Sequence, residues 1–211
     1  MEFFLQFGEQ KQVKVLVGCE FSGTVRDCFN AMGHDATSCD LLPTEAPGPH
    51  IQGDVIEVLY NNEWDLAILH PPCTYLASSG LHWNNKIEGR AQKTEEALQF
   101  ITTLWNAPVK KMAIENPVGC INTRLKFMPR PQYVQPYNYG EDASKKTGLW
   151  LRGLAPLEPT EYIHPRMVNG KPRWSNQGDT GYDKFGGGQG KERSVTFFGI
   201  AYAMADQWGS C

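Results

Sequence analysis

Hydrophobic and polar positions alternate along this chain in short blocks, which read as strands and helices taking turns. Val13-Lys14-Val15-Leu16-Val17 is rich in β-branched residues and predicts a first strand. A glycine-bearing turn, Gly18 to Gly23, leads into Thr24–Met32, where Val25, Cys28 and Phe29 fall on one helical face before Gly33 closes the helix. Asp35 to Cys39 predicts a second strand ending at Asp40, and residues 41–50, with three prolines, a loop. Gly53-Asp54-Val55 ends a short third segment. Leu66-Ala67-Ile68-Leu69 is a continuous apolar run, as expected of a parallel strand covered on both faces, and Pro71 and Pro72 stop it. Residues 74–89 are polar and predict a mobile loop. In Arg90–Asn106, Leu98, Ile101, Leu104 and Trp105 recur at helical spacing. Lys110 to Ile114 predicts a fifth strand, stopped at Glu115-Asn116-Pro117. Tyr133–Tyr139 predicts an extended piece, Gly148–Leu151 a strand, and Val195–Trp208 an apolar helix. Residues 153–190 show neither period. The fold class expected is α/β: a mostly parallel, Rossmann-like sheet with helices on both faces, in one domain spanning 1–211.

Composition narrows the function classes. With 211 residues there is room for a sizeable core, and a net charge of -3 gives no general signature of nucleic-acid binding, so any such contact needs a local patch. No apolar run approaches a membrane span, and Met1–Gln12 reads as a peripheral leader. The six cysteines are scattered without a C-x-x-C pair, and the five histidines are isolated. That pattern suits a reducing cytosol and gives no metal centre.

The candidate chemistry lies at predicted strand ends, where open α/β sheets bind ligands. Cys73 follows the fourth strand, and Glu115-Asn116 the fifth. Asp40 stands twenty residues after Glu20, a spacing that suits a carboxylate taking ribose hydroxyls and equally suits a turn cap. A cysteine, an acid and an amide on neighbouring strands suit attack on a pyrimidine: a thiolate adds to C6, C5 becomes nucleophilic, and an acid near N3 offsets the charge.

With these residues in place, the chain resembles the C5-cytosine DNA methyltransferase family, most of all its short phage and prophage members, over most of its length. Pro72-Cys73 matches the family's proline-cysteine. Glu115-Asn116 matches its glutamate-asparagine, with Pro117 where valine is more usual. Phe21-Ser22-Gly23 resembles its first loop, Gly53-Asp54 its glycine-aspartate, and Tyr139-Gly140 its tyrosine-glycine. The resemblance implies an S-adenosylmethionine-dependent methyltransferase fold with Cys73, Glu115 and Asn116 as catalytic residues. Gly18, Glu20, Phe21, Ser22, Gly23, Asp40, Leu41, Asp54, Val55 and Pro71 would hold S-adenosylmethionine. Pro72, Lys145, Lys146 and Arg173 would meet DNA carrying a flipped or single-stranded cytosine. Lys145 and Lys146 stand where the family has glutamine and arginines, the first loop has fewer glycines, and target recognition is reduced to residues 153–190. Here Arg152, at the edge, Arg166, Lys171, Arg173, Lys184 and Lys191 offer phosphate contacts.

Three other readings stay open. One is an amino-methyltransferase acting on N4 of cytosine or N6 of adenine, whose strand tip would carry an acid or amide where His70 stands. Another is a cytosine methyltransferase acting on free nucleotides, and the third a non-catalytic binder of S-adenosylmethionine or DNA. The reduced recognition region implies a short target sequence or a protein partner for targeting. The expected location is the cytoplasm, the host's if the chain is phage-encoded, with no membrane and no metal.

Overall fold

The computed structural model describes residues 11–181 and 195–210. Its elements in order are β1 (Lys14–Gly18), α1 (Thr24–Ala31), β2 (Asp35–Asp40), β3 (His50–Gln52), α2 (Val55–Asn61), β4 (Leu66–Leu69), α3 (Ser78–Leu81), α4 (Arg90–Trp105), β5 (Lys111–Pro117), α5 (Ile121–Arg124), β6 (Gln132–Val134), β7 (Thr147–Arg152), β8 (Arg166–Val168), β9 (Lys171–Arg173) and α6 (Phe198–Gly209).

Seven of the described strands form one sheet in the order β3-β2-β1-β4-β5-β7-β6. The first five pair in parallel. Strand β7 runs antiparallel to both of its neighbours. The chain is therefore α/β with a mostly parallel sheet, as the alternating blocks predict.

Side-chain alternation divides the core in two. Val15 and Val17 of β1, Leu66 and Ile68 of β4, Ala113 of β5 and Leu149 of β7 point to one face, where Val25 and Phe29 of α1 and Ile200, Met204 and Trp208 of α6 cover them. Leu16, Ala67, Leu69, Met112, Ile114 and Trp150 point to the other, under Val58 and Leu59 of α2 and Leu98, Ile101 and Leu104 of α4. At about 0.8 kcal/mol per buried methylene, each face makes a large contribution to folding.

The structure departs from the sequence reading in five places. The segment after Asp54 is helix α2, with Asp54 as its N-cap. Strand β5 continues through Glu115-Asn116 to Pro117, because β7 pairs with it and a proline in the last strand position removes only one donor. Residues 74–89, expected to be a mobile loop, fold into α3 and a 3₁₀ turn at His82–Asn85. Within 153–190, β8 and β9 form a separate hairpin whose turn, Asn169-Gly170, has φ of 50° and 72°. Tyr133–Tyr139 is extended only at its start and ends in a 3₁₀ turn at Pro136–Asn138. The leader up to residue 10, Lys184, Lys191 and the glycine run at 186–188 lie outside the described residues.

No described helix is long and apolar enough to cross a membrane.

Candidate active site

From β1 the chain winds outward through β2 and β3, then returns to add β4 on the other side of β1. Such a reversal leaves a crevice beyond the carboxyl ends of the strands. A cleft of about 570 Å³ lies there, within the range of small-molecule sites. Cys19, Asp40, Leu41, Gly53, Asp54, Val55, Ile56 and Pro72 line it from the strand ends, and Tyr75, Lys93, Glu96, Ala97 and Phe100 close its far wall.

Its two aspartates are anchored. Asp40 Oδ1 accepts from the Leu42 N–H at 2.9 Å. Asp54 Oδ1 accepts from the Ile56 N–H at 2.8 Å and so caps α2. Each acid is thus both a local cap and a carboxylate at the cleft. Leu41 is 74% exposed, an apolar rim beside Asp40.

The turn after β1 has a different construction. Gly18 is wedged where a Cβ would lie 2.5 Å from Val55 Cγ2, so only glycine lets α2 approach the strand. Cys19 adopts φ 58° and reaches the cleft. Glu20 turns inward, and its carboxylate accepts from the N–H groups of Val25 at 2.7 Å and Arg26 at 3.3 Å and from Ser22 Oγ at 3.4 Å. Burial pushes the Glu20 carboxyl above its ordinary range despite these donors. Phe21 accepts at its carbonyl from the Glu45 N–H at 2.8 Å. Gly23, with φ 78°, opens α1 directly over the Arg26 guanidinium. Among Gly18 to Gly23, the cleft wall takes Cys19, while the Glu20 carboxylate, the Ser22 hydroxyl and Gly23 serve the start of α1.

The tips of β4 and β5 form the second half of the site. The His70 N–H donates to the Gly18 carbonyl at 2.9 Å, which carries the β4–β1 ladder one residue further. Pro71 is buried, whereas Pro72 and Cys73 are exposed. The Cys73 carbonyl accepts from Leu76 N–H at 3.0 Å and Ala77 N–H at 2.9 Å, so the thiol rides on a closed turn. That turn is stitched to the segment after β5: Cys120 N–H donates to the Leu76 carbonyl, and Ser78 N–H to the Val118 carbonyl, both at 2.9 Å. Asn116, fully buried in β5, donates from Nδ2 to the Pro71 carbonyl at 2.8 Å.

Glu115 is the second acid of the region, with a side chain only 17% exposed. His70 Nδ1 lies 3.3 Å from its Oε2, and it shares a small pocket with Lys145, Thr147, Thr196 and Phe197. Burial pushes its carboxyl upward, but the His70 contact, the Lys145 charge and the Thr147 hydroxyl outweigh this and hold it below the ordinary carboxylate range. Lys145 Nζ lies 5.9 Å over the Phe197 ring, and Lys146 Nζ 4.4 Å over the Tyr133 ring.

The basic residues expected to meet a polyanion divide. Arg152 is drawn inward: Nη1 donates to the Trp105 carbonyl and Nη2 to those of Ala107 and Val109, capping the end of α4. On the hairpin, Arg166 pairs with Asp179 at 2.7 Å, Arg173 donates to the Pro172 carbonyl at 2.8 Å, and Lys171 is exposed. Among the described residues, no cluster of three histidines, cysteines or acids could hold a metal ion.

Sequence reasoning missed Cys19, Tyr75, Lys93, Glu96 and Phe100. The last three sit one helical turn apart on α4, beside the buried stripe that marks that helix, and nothing in their spacing says that the exposed side faces a cleft. The chain matches no protein-family model and no curated protein.

Proposed function

We propose that this chain is an S-adenosylmethionine-dependent methyltransferase acting on C5 of cytosine in DNA, with Cys73 as nucleophile. The observation that carries the reading is the tie between Asn116 and Pro71. It fixes a thiol-bearing turn against the strand that bears a half-buried acid, beside a nucleoside-sized cleft.

The cleft fits the cofactor by the chemistry of its walls. Asp40 would take the ribose hydroxyls and Asp54 the adenine amine, while Leu41, Val55 and Phe100 offer apolar faces to the base. When bound, S-adenosylmethionine supplies an electrophilic methyl group. Pro72 borders this cleft directly before Cys73, so the donor and the thiol fall on two sides of one proline.

Cys73 adds to C6 of cytosine and makes C5 nucleophilic. Glu115 engages the base at N3 and the exocyclic amine, where ionisation suits it to accept from the amine. Asn116 holds the turn that aims the thiol. Lys145 shares the Glu115 pocket, Lys146 stands over Tyr133, and both meet phosphate as point charges. A duplex cytosine reaches this site only when flipped out. The Arg166, Lys171 and Arg173 hairpin supports backbone contacts more than base reading, which favours a short target sequence or a targeting partner.

His70 speaks against the amino-methyltransferase reading. Its Nδ1 is turned toward Glu115 and its Nε2 is buried, so it presents no acceptor to an exocyclic amine.

The test is incubation with DNA containing 5-fluorocytosine. Wild type is expected to form a denaturation-stable adduct and Cys73→Ser none, with 5-methylcytosine appearing in ordinary DNA. Methylation of an exocyclic nitrogen by Cys73→Ala would establish the amino-methyltransferase. Methylation of deoxycytidine monophosphate alone would establish the nucleotide enzyme, and binding without turnover the non-catalytic one.

A further inference from the structure

The strand-tip residue His70 sits behind the proposed catalytic acid in an environment made for a proton. Its side chain is 6% exposed. Nδ1 has two neighbours of opposite demand, Glu115 Oε2 at 3.3 Å and Thr196 Oγ1 at 3.5 Å. An ionised carboxylate only accepts, so it needs a hydrogen on Nδ1. A hydroxyl can donate, so it satisfies an Nδ1 that has lost one. The two contacts therefore cover both ends of a single proton transfer. Nε2 is buried with no partner among the described residues.

Charged and titratable groups reach this ring from each neighbouring element. Glu115 comes from β5, with Lys145 and Thr147 beside it from the start of β7. Glu20, on the turn after β1, feels the ring's charge and in turn sits beside Arg26. Thr196 comes from the segment before α6. An imidazolium here lies between two carboxylates, opposed by one lysine.

Resting on the methyltransferase reading, we infer that His70 is a positioning residue that holds the proton Glu115 delivers to N3 of the cytosine. As Cys73 Sγ bonds to C6, the C5=C6 electron pair moves to C4–C5 and the C4=N3 pair moves onto N3. The His70 Nδ1 proton passes to Glu115 and from it to N3, and Thr196 then satisfies the bared Nδ1. Once C5 carries the methyl group, its proton leaves to solvent, that C–H pair re-forms C5=C6 as the Cys73–C6 bond breaks, and the N3 proton returns along the same path. Nothing is gained or lost by the pair over one cycle.

Two measurements test this. The first needs no turnover: ¹⁵N spectra of histidine-labelled protein from pH 5 to 9, with His70 identified by its loss in His70→Gln. Replacing the acceptor in Glu115→Gln is expected to move the His70 Nδ1 resonance, because the hydrogen on Nδ1 loses its carboxylate partner. An unchanged Nδ1 resonance overturns the proposal. The second is the pH–rate profile. His70→Gln keeps a donor near Glu115 but cannot carry a proton. Its kcat is expected to fall about 100-fold, the scale of a positioned acid, with KM nearly unchanged and the alkaline limb lost. His70→Asn serves if His70→Gln fails to fold. A variant with the wild-type profile overturns the proposal. A His70–Glu115 contact seen in the spectra of a wild-type protein that makes no 5-methylcytosine would sink the methyltransferase reading and the catalytic role of the pair, while leaving the pair itself measured.

Discussion

Asn116 Nδ2 donates to the Pro71 carbonyl at 2.8 Å, and this hydrogen bond joins the ends of β4 and β5 where the proposed nucleophile and acid stand. Both groups are buried, so Asn116→Ala leaves a carbonyl without its donor. A loss of about 1–3 kcal/mol in urea unfolding is expected. Adduct formation on fluorocytosine DNA should slow by more than stability alone dictates, because the turn carrying Cys73 loses its anchor. Equal trapping rates in variant and wild type would remove the positioning role.

The described cysteines differ in exposure and in what their burial does to the thiol. Cys73 is exposed, whereas burial pushes the thiols of Cys28 and Cys39 up to about 11 and that of Cys19 higher still. Only a thiolate reacts. Brief iodoacetamide treatment at pH 7.5, read by peptide mass mapping, should label Cys73 well before Cys19, Cys28, Cys39 or Cys120.

Asp40 and Asp54 should separate in their effects. Asp54→Ala removes the α2 cap as well as a carboxylate at the cleft, so it should cost about 1 kcal/mol of stability. Asp40→Ala removes one turn contact and should leave stability nearly intact. Calorimetric titration with S-adenosylmethionine should show both binding at least about tenfold more weakly, which is some 1.4 kcal/mol. Unchanged affinity in both would move the cofactor elsewhere.

Glu20 predicts a pH dependence of folding. Burial raises its carboxyl in the folded state above the ordinary value near 4.5. Between that value and its folded value, the native protein holds a proton that the unfolded chain has released. Stability therefore falls as pH rises through this window. Urea unfolding from pH 4 to 7 should show the decline in wild type and a flatter profile in Glu20→Gln.

The long-range plan of the fold was legible in the chain because its central strands are apolar runs and its main helices carry clear stripes. Leu66–Leu69 had to be buried on both faces, and Leu98, Ile101 and Leu104 had to face a sheet. The strand-end acids were visible for the same reason, since they directly follow those runs. What escaped was set by short elements and by tertiary partners. Three-residue strands such as Arg166–Val168 show no period, though Asn169-Gly170 was a hairpin signal in plain view. Arg152 looked like a free cation at the edge of the recognition region. Its partners are three carbonyls at the end of α4, brought there only by the pairing of β7 with β5. Glu20 was read as part of a loop holding the cofactor through backbone groups, and nothing in the sequence showed that its carboxylate serves the start of α1. His70 was noticed only as a mismatch to another motif, because its partner Glu115 is distant in sequence.

The packing of α6 on α1 has a consequence for how the protein is made. Val25, Cys28 and Phe29 emerge from the ribosome long before the Ile200, Ala201, Met204 and Trp208 surface that shields them. Until then the nascent chain carries half of its sheet with one apolar face bare. Growing chains fold from the amino terminus as they appear, and exposed apolar surface invites chaperones and aggregation. This fold postpones closure of that face until α6 has been made, so a ribosome stalled before Phe198 releases a product that cannot hide its own core.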